Sequence, residues 1–233
     1  AQCAARDVAF RFDTLAEAAD VLALDPEIVV IATGGLADTA GLAEGDGLTV
    51  TAWDILTGDA RPGQRVLVWD DAGDHAGLQA AQRLAEAGSE VEIMTRDRTF
   101  APEVMGMNLV PYMRALQPLG ARMTVAQRLL GVRRAGNALL AVIGTDYSAH
   151  REEREFDQIV VNHGTRPLDG LYFDLKPLSR NRGAVDHDAL AEGCPQPEGR
   201  LDGRFTLWRI GDAVAARNVH AAIYDGLRLL KDA

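Results

Sequence analysis

Lysine is nearly missing from this chain: of 24 basic residues only Lys176 and Lys231 are lysine, an arginine bias that we ascribe to genome composition. Positive charge is short overall, since 34 acidic residues leave a net charge of −10 and a pI near 4.9. That balance excludes nucleic acid and anionic membrane surfaces as partners, because both are held by a basic surface. Cysteine is scarce too: Cys3 and Cys194 supply neither a disulfide framework nor a cysteine metal cluster, and both read as incidental thiols. There is no signal-peptide pattern and no apolar run of membrane-spanning length, so the cytoplasm is the expected compartment. What the chain does have is 233 residues at 47% hydrophobic content, enough to pack one large or two small domains. It opens at Ala1 with no initiator Met, and we read it as a piece of something longer.

The most informative stretch is residues 65–97. Val66, Leu67, Val68 and Trp69 form a continuous apolar block, the mark of a strand buried on both faces of a parallel sheet. Over 76–87 the apolar positions Leu78, Ala81, Leu84 and Ala85 recur at helical spacing, Gly88 stands where the helix would stop, and Val91 and Ile93 open a second strand. Strand, turn, helix and strand within about thirty residues is the first unit of a dinucleotide-binding fold, with phosphate held by backbone N–H groups at the helix N-terminus. Aligned on Gly77, however, the three-glycine fingerprint falls on Ala72, Asp74 and Gly77. A carboxylate therefore stands where pyrophosphate must approach. Like charges about 4 Å apart repel by roughly 4 kcal/mol at an effective dielectric near 20. The helix dipole returns only about 0.3–2 kcal/mol to an anion. Asp74, with Asp70 and Asp71 near it, should discourage a pyrophosphate unless its side chain turns away or His75 offsets it.

Upstream, helical spacing over 13–24 ends at Pro26, and 27–31 is another buried-strand block running into Ala32-Thr33-Gly34-Gly35, a small-residue turn where a ligand can approach the backbone. The Gly-, Asp- and Pro-rich stretch 41–63 is expected to hold the first domain crossing. Residues 101–120 read as a helix whose methionines, Met107 and Met113, fill a core. Strand pieces at 122–125, 129–134, 138–143 and 152–156 read as a β-meander with a hairpin turn at Gly136-Asn137, leading to a buried strand at 158–161. A turn at 163–167, a loop-rich stretch 178–204, a last strand 205–210 closed by Gly211-Asp212-Ala213, and a final helix 219–230 complete the reading.

VVIATGG at 29–35, the split nucleotide-binding unit, NHGTRPLDGLYFDLKPLSRN at 162–181 and RIGDAVAARNVHAAIYDGLRLL at 209–230 together resemble the C-terminal half of an NADH:flavin oxidoreductase. The resemblance covers nearly the whole chain. It is to the group that includes 2,4-dienoyl-CoA reductase and trimethylamine and histamine dehydrogenases, and is nearest to N-methylproline or dimethylglycine demethylases. It implies an α/β fold of the two-dinucleotide-binding-domain flavoprotein type, with a Rossmann-like NAD(P)-binding domain, 57–163, inserted in a partial FAD/ADP-binding domain, 1–56 with 164–233, whose first βαβ unit is missing. It also implies a parent chain whose N-terminal old-yellow-enzyme-type barrel holds FMN and a 4Fe-4S cluster and performs the chemistry, and an electron-transfer protein as a further partner. The strands at 28–31 and 206–210 must then share one sheet.

The resemblance carries roles to particular residues. Asp212 accepts hydrogen bonds from flavin ribityl or ribose hydroxyls, with Gly211 allowing close approach; the ordinary alternative is a cap on the following turn. His220 and Ala221 stand at a helix N-terminus directed at the flavin, or His220 is plain surface. Thr33 and Gly34 line the same crevice from the other strand. His163 and Gly164, followed by Thr165, mark the hinge between domains, near nicotinamide or adenine. Arg96 follows the second strand of the central unit, where a cation favours a 2′-phosphate. Gly73 and Gly77 keep the central turn tight with or without ligand. The competing functional reading, motivated by Asp74, is a vestigial scaffold or docking domain that binds no dinucleotide. A phosphoacceptor receiver domain, suggested by Asp70-Asp71, lacks the strand-ending Asp that it requires downstream.

Overall fold

The computed structural model describes residues 6, 8–197, 199 and 202–231, so Cys3 lies outside the described residues. The chain runs through helix α1 (Ala18–Leu22), strands β1 (Ile28–Ile31), β2 (Gly35–Ala37) and β3 (Val50–Thr51), helix α2 (Ala52–Thr57), strand β4 (Arg65–Asp70), helix α3 (His75–Glu86) and strand β5 (Glu90–Met94). Helix α4 (Gly106–Leu116) and strands β6 (Arg122–Thr124), β7 (Arg128–Ala135), β8 (Ala138–Thr145), β9 (Ser148–Phe156), β10 (Gln158–Asn162) and β11 (Thr165–Pro167) follow. Helices α5 (Gly170–Leu175) and α6 (His187–Glu192), strand β12 (Thr206–Arg209) and helix α7 (Val219–Leu230) complete it. Two compact units result, residues 1–35 with 167–233, and residues 36–166.

The central unit, 36–166, is built on a five-stranded parallel sheet in the order β3-β10-β4-β5-β6. Strand β4 shows why its apolar residues run without a break. Val66 and Val68 pack on one face with Leu78, Ala81 and Leu84 of α3, whereas Leu67 and Trp69 pack on the other with Leu129, Ala141 and Ile143 of the antiparallel sheet β7-β8-β9. Successive side chains alternate faces, so a strand covered on both sides is apolar at every position. Helix α3 runs as its spacing predicts, and Gly88, at φ +92°, ends it.

In the other unit β1 and β12 pair in parallel, Ile28 beside Thr206 and Ile31 beside Arg209, so the required sharing of a sheet is met. Val29, Ile31, Leu207 and Phe205 pack with Tyr172 and Leu175 of α5. Among the described residues no helix is long and apolar enough to cross a membrane.

Several expectations need correction. The crossing between units falls at 35/36, not 56/57: β3 joins the edge of the five-stranded sheet through β10, and Ala52 and Ile55 of α2 are buried in its core, so 36–56 lie with the central unit. The return crossing is at 166/167. Helix α1 is only the second half of the predicted 13–24 helix, Asp13 having φ +53°. Helix α4 begins five residues late, after Ala101 at φ +45°. Met107 is 89% exposed rather than core filler, while Met113 packs partly buried against the helix-side core. The piece at 122–125 is not part of the meander: β6 extends the parallel sheet beside β5, and the meander is β7-β8-β9.

Candidate functional site

Two places carry the predicted site residues, one in each unit. In the β1/β12 unit both parallel strands end in small-residue turns on the same side. Gly34, with φ +71°, follows β1, and Gly211, with φ +61°, follows β12. Together with Ala32, Asp212 and Ala222 they line an open cavity of about 370 Å³. A Cβ at Gly34 would meet nothing within 4 Å, whereas one at Gly211 would lie 3.2 Å from Ala222 Cβ, so the bare backbone at 211 is what lets α7 approach. Asp212 Oδ1 accepts from the Arg217 backbone N–H at 3.3 Å. Gly211 N–H donates to Asp225 Oδ2 at 3.0 Å, and Arg217 pairs its guanidinium with the same Asp225 carboxylate. The N-terminus of α7 is capped by Asn218, whose Oδ1 accepts from Ala221 N–H at 3.0 Å. Arg217, Asn218, Ile210 and Val219 complete the lining, so the cavity presents a carboxylate, a guanidinium already paired with Asp225, backbone and apolar side chains.

The predicted residues of this unit are only partly brought together. Gly34, Gly211 and Asp212 share the cavity. Thr33 does not line it, its hydroxyl donating to the Leu168 carbonyl. His220 and Ala221 line a separate depression along α7 with Ile223, Tyr224 and Leu227. Sequence reading missed Asp225, Arg217 and Asn218. Asn218 had a legible signal, an Asn directly before an amphipathic run. It also missed Arg209, which pairs with Asp169 at 2.6 Å and lies 4.5 Å over the Tyr172 ring.

The second place is the turn between β4 and α3. The register of β10 on β4 sets Asn162 beside Asp70, at the carboxyl ends of both strands. Asp70 Oδ1 accepts from Gly73 N–H at 3.0 Å and from Asn162 Nδ2 at 2.8 Å. Asp74 is the N-cap of α3: its Oδ1 accepts from Ala76 N–H at 2.9 Å, and from the same Asn162 amide at 2.9 Å. One side-chain amide therefore bridges two carboxylates. Asp74 turns onto the helix terminus, not away from it, and the neighbouring His75 is engaged with Tyr112, its Nδ1 3.0 Å from the hydroxyl. Gly73, at φ +68°, makes the turn, and a Cβ there would fall 2.5 Å from Pro102 Cδ. A Cβ at Gly77 would fall 2.6 Å from Asp70 Cγ, so the space left by this glycine is filled by a carboxyl group.

Burial lifts the Asp70 carboxyl to about 6, against the pull of its Asn162 and Gly73 hydrogen bonds, and Asp74 and Asp71 push it the same way as burial. Asp71 goes down: the hydrogen bond with His163 outweighs burial, and Arg96 adds to it. Asp71 lies 3.3 Å from His163 Nδ1 and 3.1 Å from Arg96 Nε. Arg96, expected to face a 2′-phosphate, is thus in an ion pair, and His163 is held by a carboxylate with Gly41 flat against its ring. Gly164, at φ +89°, faces Ala72. Asn162 was missed because nothing local ties it to a residue 92 positions away.

No family model matches the chain. It is 60% identical over 232 residues, 99% of its length, to "Probable N-methylproline demethylase" of Rhizobium meliloti (strain 1021), covering 34% of that protein. It is 42% identical over 97% of its length to N,N-dimethylglycine/sarcosine dehydrogenase of Chromohalobacter salexigens, again covering 34%. Among solved structures it is similar to 2-naphthoyl-CoA reductase (TM-score 0.72, 23% identity, 98% of this chain and 30% of that one). It is also similar to histamine dehydrogenase from Rhizobium sp. 4-9 (TM-score 0.70, 21% identity, 93% and 32%). The chain spans about a third of the length of the curated relatives that it matches.

Proposed function

We propose a function from one premise: the chain belongs with the NADH:flavin oxidoreductase group that its motifs resemble, beside demethylases and dehydrogenases of N-methylated amino acids. It is the nucleotide-binding third of a flavin-dependent oxidoreductase that oxidises a small N-methylated amine. The β1/β12 crevice holds an adenine-containing nucleotide, FAD or ADP. One observation carries this reading: Gly34, Gly211 and Asp212, from opposite ends of the sequence, line a single cavity at the carboxyl ends of paired parallel strands. Ligands of open α/β sheets lie at such strand ends.

The residues present fit that group. Asp212 has one carboxylate oxygen on the Arg217 N–H, and its other oxygen would be the acceptor for ribose or ribityl hydroxyls. Gly34 leaves open space above the backbone, so a diphosphate or polyol would have room beside the strand end. A bound flavin supplies two-electron uptake and release; this chain's part is to bind and orient. FMN and the 4Fe-4S cluster are assigned to an old-yellow-enzyme-type barrel in the parent protein, with an electron-transfer protein as acceptor.

The test uses the parent protein. Purified with its natural flanking sequence, it should carry flavin absorbance, retain adenine nucleotide after denaturing release, and oxidise N-methylproline or dimethylglycine with a dye as acceptor. Asp212→Ala should lower the adenine nucleotide content several-fold while the protein stays folded. A folded parent protein with no flavin, or an unchanged nucleotide content in Asp212→Ala, would overturn the proposal.

A further inference from the structure

We infer that the dinucleotide seat at the β4–α3 turn is occupied by the protein itself, and that the central unit binds neither NAD(H) nor NADP(H). The fold there is of the dinucleotide type: a buried parallel strand, a tight turn, a helix and a second parallel strand, with the helix N-terminus at the strand's carboxyl end. The contents are not. A pyrophosphate needs free N–H groups at the turn and a bare backbone to lie against. Here the Gly73 N–H is taken by Asp70 and the Ala76 N–H by Asp74, both by carboxylate oxygens. The Asn162 side-chain amide, bonded to both, holds them in place.

Gly77 confirms that the substitution is built in. In a functional fingerprint the last glycine clears room for helix and strand to pack. At this position the cleared room holds the Asp70 carboxyl group, 2.6 Å from where a Cβ would stand. The fully buried Asp70 also has one oxygen, Oδ2, with no hydrogen-bond partner, so a second anion brought to this turn would compete for donors with an acceptor that already lacks one. Arg96, the cation that the sequence reading set where a 2′-phosphate would lie, is paired with Asp71. Asp71, Asp74 and Asp70 together surround the turn with acid, and His75 faces Tyr112.

This inference rests on the central unit alone and stands or falls separately from the flavin reading of the β1/β12 crevice. The test is a titration of the full chain with NADH and, separately, NADPH, followed by amide resonances. The Gly73, Ala76 and Gly77 amides report the β4–α3 turn, and the Gly34 and Gly211 amides report the crevice. No saturable shift of the first set up to about 1 mM is expected with either nucleotide. Saturable shifts of those amides, with a dissociation constant below about 1 mM, would overturn the inference, whatever the crevice does. A second variant tests the cause. Asp70→Asn with Asp74→Ser keeps an acceptor at both caps and removes both charges. With a native-like amide spectrum it should bind inorganic pyrophosphate at the turn at least about tenfold more tightly than the unaltered chain. Equal affinity in a folded double variant would sink the carboxylate account.

Discussion

Asp70 is a residue that the fold tolerates at a cost. Its carboxyl is raised from 3.8 to about 6, so between those values the native chain holds a proton that the unfolded chain has lost. Stability is then greatest below about pH 4 as far as this group is concerned, falls as pH rises through 6, and is lower by on the order of 3 kcal/mol above it. Asp70→Asn keeps the oxygen that accepts from Gly73 and Asn162 and removes the charge. Its thermal midpoint should exceed that of the unaltered chain at pH 8, and the gain should vanish near pH 4; a gain independent of pH would refute the assignment. Gly77 is the steric counterpart. Gly77→Ala places a methyl on Asp70 with a helix on one side and a strand on the other, and urea unfolding should show a loss of about 1–3 kcal/mol.

Among the helices, α3 and α7 have the same length and similar amphipathic patterns but different surroundings. Six of the twelve residues of α3 are buried, whereas α7 has none, and its Ile223 and Leu227 are 58% and 63% exposed. Periodicity reports which face is apolar, and only packing reports whether that face is covered. Leu84→Ala should therefore cost about 2–5 kcal/mol by denaturant unfolding, and Leu227→Ala less than about 0.5 kcal/mol. Asn218→Ala, which removes the cap of α7, should cost about 0.5–2 kcal/mol. The order of these three losses is the check, since a Leu227 effect as large as that of Leu84 would mean that α7 is buried in solution.

For the whole molecule, each unit has its own core: the two faces of the parallel sheet in 36–166, and the cluster around Leu175, Phe205 and Leu207 in the other. Separate cores give separate transitions. Calorimetry should resolve two, with Leu84→Ala lowering one and Leu175→Ala the other. A single transition moved by both would contradict this. Local pattern alone decided a good deal here. Strands at 28–31, 66–69, 158–161 and 206–209, of which those at 66–69 and 159–161 are buried at every residue while 28–31 and 206–209 are buried in part, the helix after Gly73 and its stop at Gly88 were legible, because apolar runs, helical spacing and a left-handed glycine are each enforced within a few residues. So was the anomaly at Asp74. The tertiary structure alone decided that 36–56 belong with the central sheet, that Asn162 clasps Asp70 and Asp74, and that Arg96 is paired with Asp71. Strand register and long-range pairing create those neighbours, and a linear pattern holds no record of which distant strand will lie alongside.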